Sequence, residues 1–294
     1  MKKLLFILLF IFLSASSFSQ RLPLHSIFSE NLMLANPALC GSSENNRIWI
    51  DHRNQWLGFN KDSNEFIGQA PITNAIAIDL SFENKFINGF GAYYLNDKLG
   101  YNQINALSLL YSKRFDIKED VSLRLGFSAD YYHLSINGKW LMIQPEPLFE
   151  TYCGDNFDLG LGFLFQFKNW EIGSGLQHII HEDVVYDTIY RTQFATTSTS
   201  FLSYKHEFGK YSYFSPILLV KMDKAKVMTE IDLKFSFEDR FFFSLGLRPM
   251  SAILISSGFR LFISIDLLLA YELNITAMHN YSNGTYGVLL RYNF

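Results

Sequence analysis

Residues 285–294 read TYGVLLRYNF. Tyr286, Val288, Leu290, Tyr292 and Phe294 take the even positions, and all but Leu289 of the odd ones are small or polar. Period-two alternation of this kind marks a β-strand with one apolar and one wetter face. In a soluble sheet, such a strand at an edge invites aggregation. Closing the sheet into a barrel removes the edge, because the last strand pairs with the first. The stretch alone is also compatible with a β-sandwich, so the rest of the chain must choose.

The 294 residues suffice for one large barrel or about two ordinary domains. Aromatic residues make up 17%, charged residues only 18%, with 29 Phe and 16 Tyr. That is rich in strand formers and poor in the charge of a soluble surface. A formal net charge of −3 leaves no basic footprint for nucleic acid. At the start, Lys2 and Lys3 precede an apolar run, Leu4–Leu13, and then small residues Ser14–Ser17 and Ser19. This pattern predicts a secretory signal peptide over 1–19, cut near Ser19–Gln20. Later apolar stretches, around 241–247 and 261–270, are broken by Ser244, Gly246, Ser264 and Asp266. None reaches the ~20 residues of a membrane helix.

Beyond Arg47 the alternation recurs. In 121–133, Val121, Leu123, Leu125, Phe127, Ala129 and Tyr131 alternate with Ser122, Arg124, Gly126, Ser128 and Asp130. Comparable faces appear in 155–167 and 227–237, the latter placing Glu230, Asp232 and Lys234 opposite Val227, Ile231 and Leu233. The segments are 46–54, 70–82, 86–95, 102–115, 121–140, 155–167, 169–180, 192–208, 210–222, 226–237, 240–248, 251–260, 262–275 and 284–294. About fourteen is an even count, and about 9–11 residues cross a bilayer when tilted. Tight connections (83–85, 116–120, 168–169, 209, 238–239, near 261) alternate with longer ones (57–69, 96–101, 141–154, 181–191, 276–283). Short turns on one rim and long loops on the other are the asymmetry of an outer-membrane barrel. The expected fold is therefore all-β, a transmembrane antiparallel up-and-down barrel of about 14 strands in the outer membrane. It would span 47–294, with 20–46 a non-strand periplasmic segment.

Several patches then carry a resemblance: NPALCGSS at 36–43, HRNQWLG at 52–58, GFGAYYLNDKLG at 89–100, LRLGFSADYY at 123–132, FDLGLGFLF at 157–165 and GSGLQHI at 173–179. In this order and spacing the chain resembles the PorP/SprF family of Bacteroidetes, over essentially its whole mature length. Cys40 stands where the family usually has a small residue, and the loop after Ile143 is shorter than common. The resemblance implies a non-enzymatic outer-membrane accessory of type IX secretion and gliding. Its implied partners are a secreted adhesin or cargo with a C-terminal sorting domain, periplasmic secretion-ring proteins, and outer-membrane lipid.

The candidate contact residues are Asn36, Pro37, Arg53, Gln55, Trp56, Asn96 and Asp97. Asn36–Pro37 sets a turn, Asn96, Asp97 and Gly100 form a turn-rich loop, and loops carry binding more often than cores. Arg53 is expected to pair with an acid such as Asp51 or Asp130, and Trp56 to sit in an interfacial belt. The expected lumen-facing polar groups are Arg124, Asp130, Asp158, Glu230, Asp232, Lys234, Asp266 and Arg291. Their mixed signs fit a salt-bridged, hydrated interior better than a selective pore. His178 and His181 lie three apart, on opposite faces of a strand, with no third ligand, so no metal is expected. No nucleophile elbow or triad spacing appears, and no catalytic residue or cofactor is assigned.

Cys40 and Cys153, assigned to the periplasmic segment and an external loop, would sit on opposite sides of a ~25–30 Å core, too far for a bridge. Two other functions remain beside the accessory one, a small-solute channel and a secreted glycan-binding β-protein. A final strand ending in Phe also resembles the assembly signal of bacterial outer-membrane barrels. Deleting Phe294 is therefore expected to lower the amount of folded, heat-modifiable barrel in the membrane; normal levels would contradict that role.

Overall fold

The computed structural model describes residues 27–43, 45–59, 70–83, 87–137, 151–180, 184–186, 190–192, 194–224 and 226–294. The wall is built from β1 (Arg47–Asn54), β2 (Ile72–Glu83), β3 (Ile87–Leu99), β4 (Asn102–Lys118), β5 (Val121–Asn137), β6 (Thr151–Phe167) and β7 (Trp170–Gln177). A small separate hairpin, β8 (Val184–Tyr186) with β9 (Tyr190–Thr192), interrupts the series. The wall resumes with β10 (Thr197–Tyr204), β11 (His206–Gly209), β12 (Ser212–Met222), β13 (Val227–Phe237), β14 (Phe241–Arg248), β15 (Ala252–Phe262), β16 (Ile265–Asn274) and β17 (Thr285–Asn293). Because β10 and β11 form one stave broken at Lys205, the barrel has 14 staves.

All pairings are antiparallel, and β10–β12 and β1–β17 close the ring. The closing register runs from Arg47 opposite Asn293 to Asn54 opposite Tyr286. Closure satisfies the strand backbone from within, which a hydrocarbon surround demands. Along β17, Thr285, Gly287, Leu289 and Arg291 are buried while Leu290, Tyr292 and Phe294 are exposed. The same parity holds in β5, with Ser122, Arg124, Ser128 and Asp130 inside and Leu125 and Phe127 outside. Outward aromatics gather at two levels. Phe82, Phe90, Trp170, Phe208, Phe237, Phe241, Tyr292 and Phe294 lie near one rim, and Tyr94, Tyr131 and Phe157 near the other, as interfacial girdles do.

All six connections on the first rim are three residues or shorter, whereas four of the seven on the other are ten or longer. Some expected boundaries move. Strand β3 continues to Leu99, so Asn96 and Asp97 are strand residues, not loop residues: Asn96 Nδ2 donates to Asn105 Oδ1 across the outer face (2.7 Å), and Asp97 accepts from Thr73 Oγ1 inside (2.7 Å). Strand β6 begins at Thr151, which places Cys153 in the wall instead of a loop. The strand expected over 192–208 begins only at Thr197. The expected signal peptide at 1–19, His181 and most of the 141–154 loop lie outside the described residues.

The largest difference concerns the segment before β1, read from sequence as a periplasmic stretch over 20–46. Residues 27–43 enter the barrel as three short 3-10 turns, Phe28–Glu30, Leu32–Leu34 and Pro37–Leu39. Asn36 caps the last of these, its Oδ1 accepting from the Ala38 N–H at 3.0 Å, and Pro37 takes the first helical position. Ala38 and Cys40 are fully buried, and the Pro37–Leu39 turn packs on β4 to β7. The wall makes room with glycine. A Cβ on Gly89, Gly126, Gly162 or Gly175 would overlap Cys40, Ala38, Asn36 or Ala35 respectively. Cys40 and Cys153 are both free, one inside the wall and one with its side chain outside; it is the wall that separates them.

Gly126→Val should therefore unseat the plug segment while leaving the wall closed. The expected result is a normal heat-modifiable barrel whose residues 27–43 become cleavable by added protease; unchanged resistance would contradict it.

Candidate functional site in the barrel lumen

Polar groups at inward positions form one connected interior. Arg53 donates to both carboxylate oxygens of Glu272 (3.0 and 3.2 Å) and to Gln55 Oε1 (2.8 Å). Arg248 bridges Glu272 (2.9 Å) and Glu230 (2.7 and 2.9 Å). These charged side chains are nearly fully buried. Removing one member of such a network leaves a buried unpaired charge and costs about 3–5 kcal/mol. Glu272, which was not among the acids expected for Arg53, is its partner across the closed ring: β1, β17 and β16 are neighbours, and Glu272 has the inward parity of its strand.

The segment 27–43 is tied to this interior. Glu30 pairs with Lys234 and with Arg291 Nη2 (2.8 Å). Burial alone would raise the Glu30 carboxyl, but the two cations hold it well below the usual carboxylate range. Ser29 Oγ donates to Asp232 (2.8 Å). Asn31 donates to Asp51 (3.0 Å) and accepts from Trp49 Nε1 (2.7 Å). On the opposite wall, Gln177 Nε2 donates to the Leu34 carbonyl (2.9 Å), Ser112 Oγ to the Cys40 carbonyl (2.5 Å) and Asn36 Nδ2 to the Phe163 carbonyl (3.0 Å). Asp79 accepts from the Gly41 N–H and from Arg47 Nε (2.9 Å). Burial, with Asp79 beside it, pushes the Cys40 thiol far above its ordinary range.

All eight residues expected inside have inward side chains, and four of them hold the plug: Asp232, Lys234, Arg291, and Arg124 through the Cys40 carbonyl (3.4 Å). Asp130 accepts from Ser128 (2.9 Å), and Asp266 pairs with Arg260 (2.7 Å). Asp158 contacts His178 Nδ1 (3.2 Å) and the Ile180 N–H (3.0 Å). His178 has a positive φ of 60° and stacks on Phe194 at 4.6 Å, turning the chain after β7 inward over Tyr132. Val184 is buried in the same cluster, so the described residues of this connection pack inward near the long-loop rim.

The seven candidate contact residues do not form one patch. Asn36 and Pro37 are deep in the lumen, Arg53 and Asp97 share an inward row through Thr73, and Asn96 lies on the outer face. Trp56 sits at the long-loop rim, its N–H donating to Thr285 Oγ1 at 3.2 Å. Glu30, Asp79, Arg248 and Glu272 were not among the expected residues. Parity within β2, β14 and β16 could have supplied the last three. Glu30 follows no strand pattern.

The plug reaches both sides of the wall, with Ala35 and Leu32 packed on Leu219 of β12 and Met228 of β13, but it leaves space at one rim. Between the plug and the β7–β13 wall lies a cavity of about 890 Å3 at the short-turn rim, lined among others by Glu30, Glu171, Lys205, Tyr213 and Lys234. Among the described residues no group of three or more His, Cys, Asp or Glu side chains could hold a metal ion.

In fold, the chain is similar to the CymD monoaromatic hydrocarbon channel (TM-score 0.56, 10% identity, covering 89% of this chain and 92% of that one). It is also similar to the toluene transporter TbuX of Ralstonia pickettii (TM-score 0.54, 10% identity, 89% and 92%). At such identity the likeness is one of fold. No curated protein matches the chain in sequence. The family model for type IX secretion system membrane proteins PorP/SprF matches residues 17–292. This protein is an outer-membrane β-barrel and belongs to the PorP/SprF family.

Proposed function

We propose that this barrel is a non-enzymatic accessory of the type IX secretion machinery. It binds a secreted adhesin through the adhesin's C-terminal sorting domain, or periplasmic ring components, and so supports export or surface retention. Family membership supplies the machinery. The observation that favours an accessory over a solute channel is the plug in the lumen, in which residues 27–43 are held by buried ion pairs and by hydrogen bonds to both walls. A conduit would have to break these contacts for each passage. A buried charge pair broken on one side costs about 3–5 kcal/mol, which does not suit a constitutive pore. The hydrocarbon channels it resembles share the fold at 10% identity, which carries no substrate to this chain.

In planar bilayers the purified barrel should show no steady conductance, whereas deletion of residues 27–43 should produce one; a steady wild-type pore would favour the channel. Affinity purification from native membranes should recover an adhesin C-terminal domain or ring proteins. Recovery of neither, together with intact secretion in a deletion strain, would overturn the accessory role.

A further inference from the structure

Among the described residues, strand β11 pairs with β12 alone. Its neighbour on the other side, β7, begins at Trp170 opposite Tyr204. At that level the Lys205 N–H donates to the Asn169 carbonyl (2.8 Å) and Asn169 Nδ2 donates to the Lys205 carbonyl (2.8 Å). His206–Gly209, all exposed, therefore present a strand edge of about 13 Å at ~3.3 Å per residue. Lys205, Glu207 and Gly209, one face of this edge, line the 890 Å3 cavity, and the cavity opens at the same rim. An unpaired edge beside a concave polar space is the arrangement that captures an extended peptide by strand addition.

Charge selects the occupant. Within the cavity wall, the Tyr213 ring lies between Lys205 Nζ at 5.0 Å and Lys234 Nζ at 5.9 Å. Lys168 and Lys210 flank the edge at the two neighbouring turns, each over an aromatic ring and, among the described residues, in no ion pair. Glu207 is engaged by Lys205 (3.0 Å), and Glu171 accepts from Gln166 (2.8 Å). Lysines on an edge discourage pairing with a second copy of the same edge, since like charges would face each other. They favour a strand with acidic side chains.

We propose that the β11 edge and the vestibule behind it form a docking site for an extended, acidic segment of a periplasmic protein. The segment adds as a strand to His206–Gly209 and turns its acidic side chains toward Lys168, Lys205 and Lys210. This rests on the accessory role for its biological meaning, but the site is tested without the secretion machinery.

The experiment is hydrogen exchange on the purified full chain in detergent micelles, with a synthetic peptide of about eight residues alternating Glu and Val, and its Lys–Val counterpart. The acidic peptide should slow exchange in residues 205–209 by about tenfold or more, and the basic one should not. Methylating alternate amides along one edge of the peptide should abolish the effect, while methylating the other edge should not. The K168E/K210E variant, verified as folded by heat-modifiable migration, should lose the acidic peptide and gain the basic one. Equal protection by both peptides, protection confined to the long-loop rim, or protection of 205–209 that rises with barrel concentration alone would each overturn the site. Peptide binding at β11 in a chain whose deletion leaves secretion intact would keep the site and remove the accessory role.

Discussion

A backbone amide or carbonyl in hydrocarbon has no water to turn to, and leaving one unpaired costs several kcal/mol. Everything in this barrel follows from that constraint. It requires the ring to close at β1–β17 and β10–β12, and it puts lipid against one parity of each stave. The other parity is then free to be polar, and here it is densely so. Irregular backbone is admitted only where protein surrounds it, as for residues 27–43 inside the lumen. Strand β11 escapes the requirement because it lies at the short-turn rim, where water can reach its open edge.

The polar interior acts less as a pore lining than as a set of anchors. Glu30, Ser29 and Asn31 meet charged or polar side chains on β1, β13 and β17, whereas Leu34 and Cys40 are gripped through their backbone carbonyls, Asn36 through its side-chain amide, and the segment is seated in glycine-sized gaps on β3 to β7. The two walls hold the plug by different means. Close steric fit fixes its position on one side, and ion pairs orient it on the other. The cavity is what remains beside the plug at the short-turn rim, between the two walls.

The Arg53–Glu272–Arg248–Glu230 network ties staves that are far apart in sequence, Arg53 and Glu272 lying 219 positions apart. Its members sit at inward positions of β1, β16, β14 and β13, so each was recognisable as interior. Their pairing was not. Arg53 has several acids within its stretch of chain, and only the closure of the ring brings Glu272 within reach. For the same reason the NPALCGSS stretch reads from sequence only as a turn within a periplasmic segment. Asn36 does cap a turn there, but one wrapped against Gly126, Gly162 and Gly175.

Sequence by itself determined the local quantities: which residues alternate, where turns interrupt them, and hence the staves, their even number and the side each residue faces. These depend on a period of two and on turn chemistry, both of which act between near neighbours along the chain. TYGVLLRYNF was legible as a strand with Arg291 inside and Tyr292 outside. Only the tertiary structure decided that Arg291 meets Glu30, that a non-strand segment enters the lumen, and that β7 stops short and leaves β11 open. Those outcomes depend on ring closure and on the volume left inside it, and no local pattern encodes a distance across a barrel.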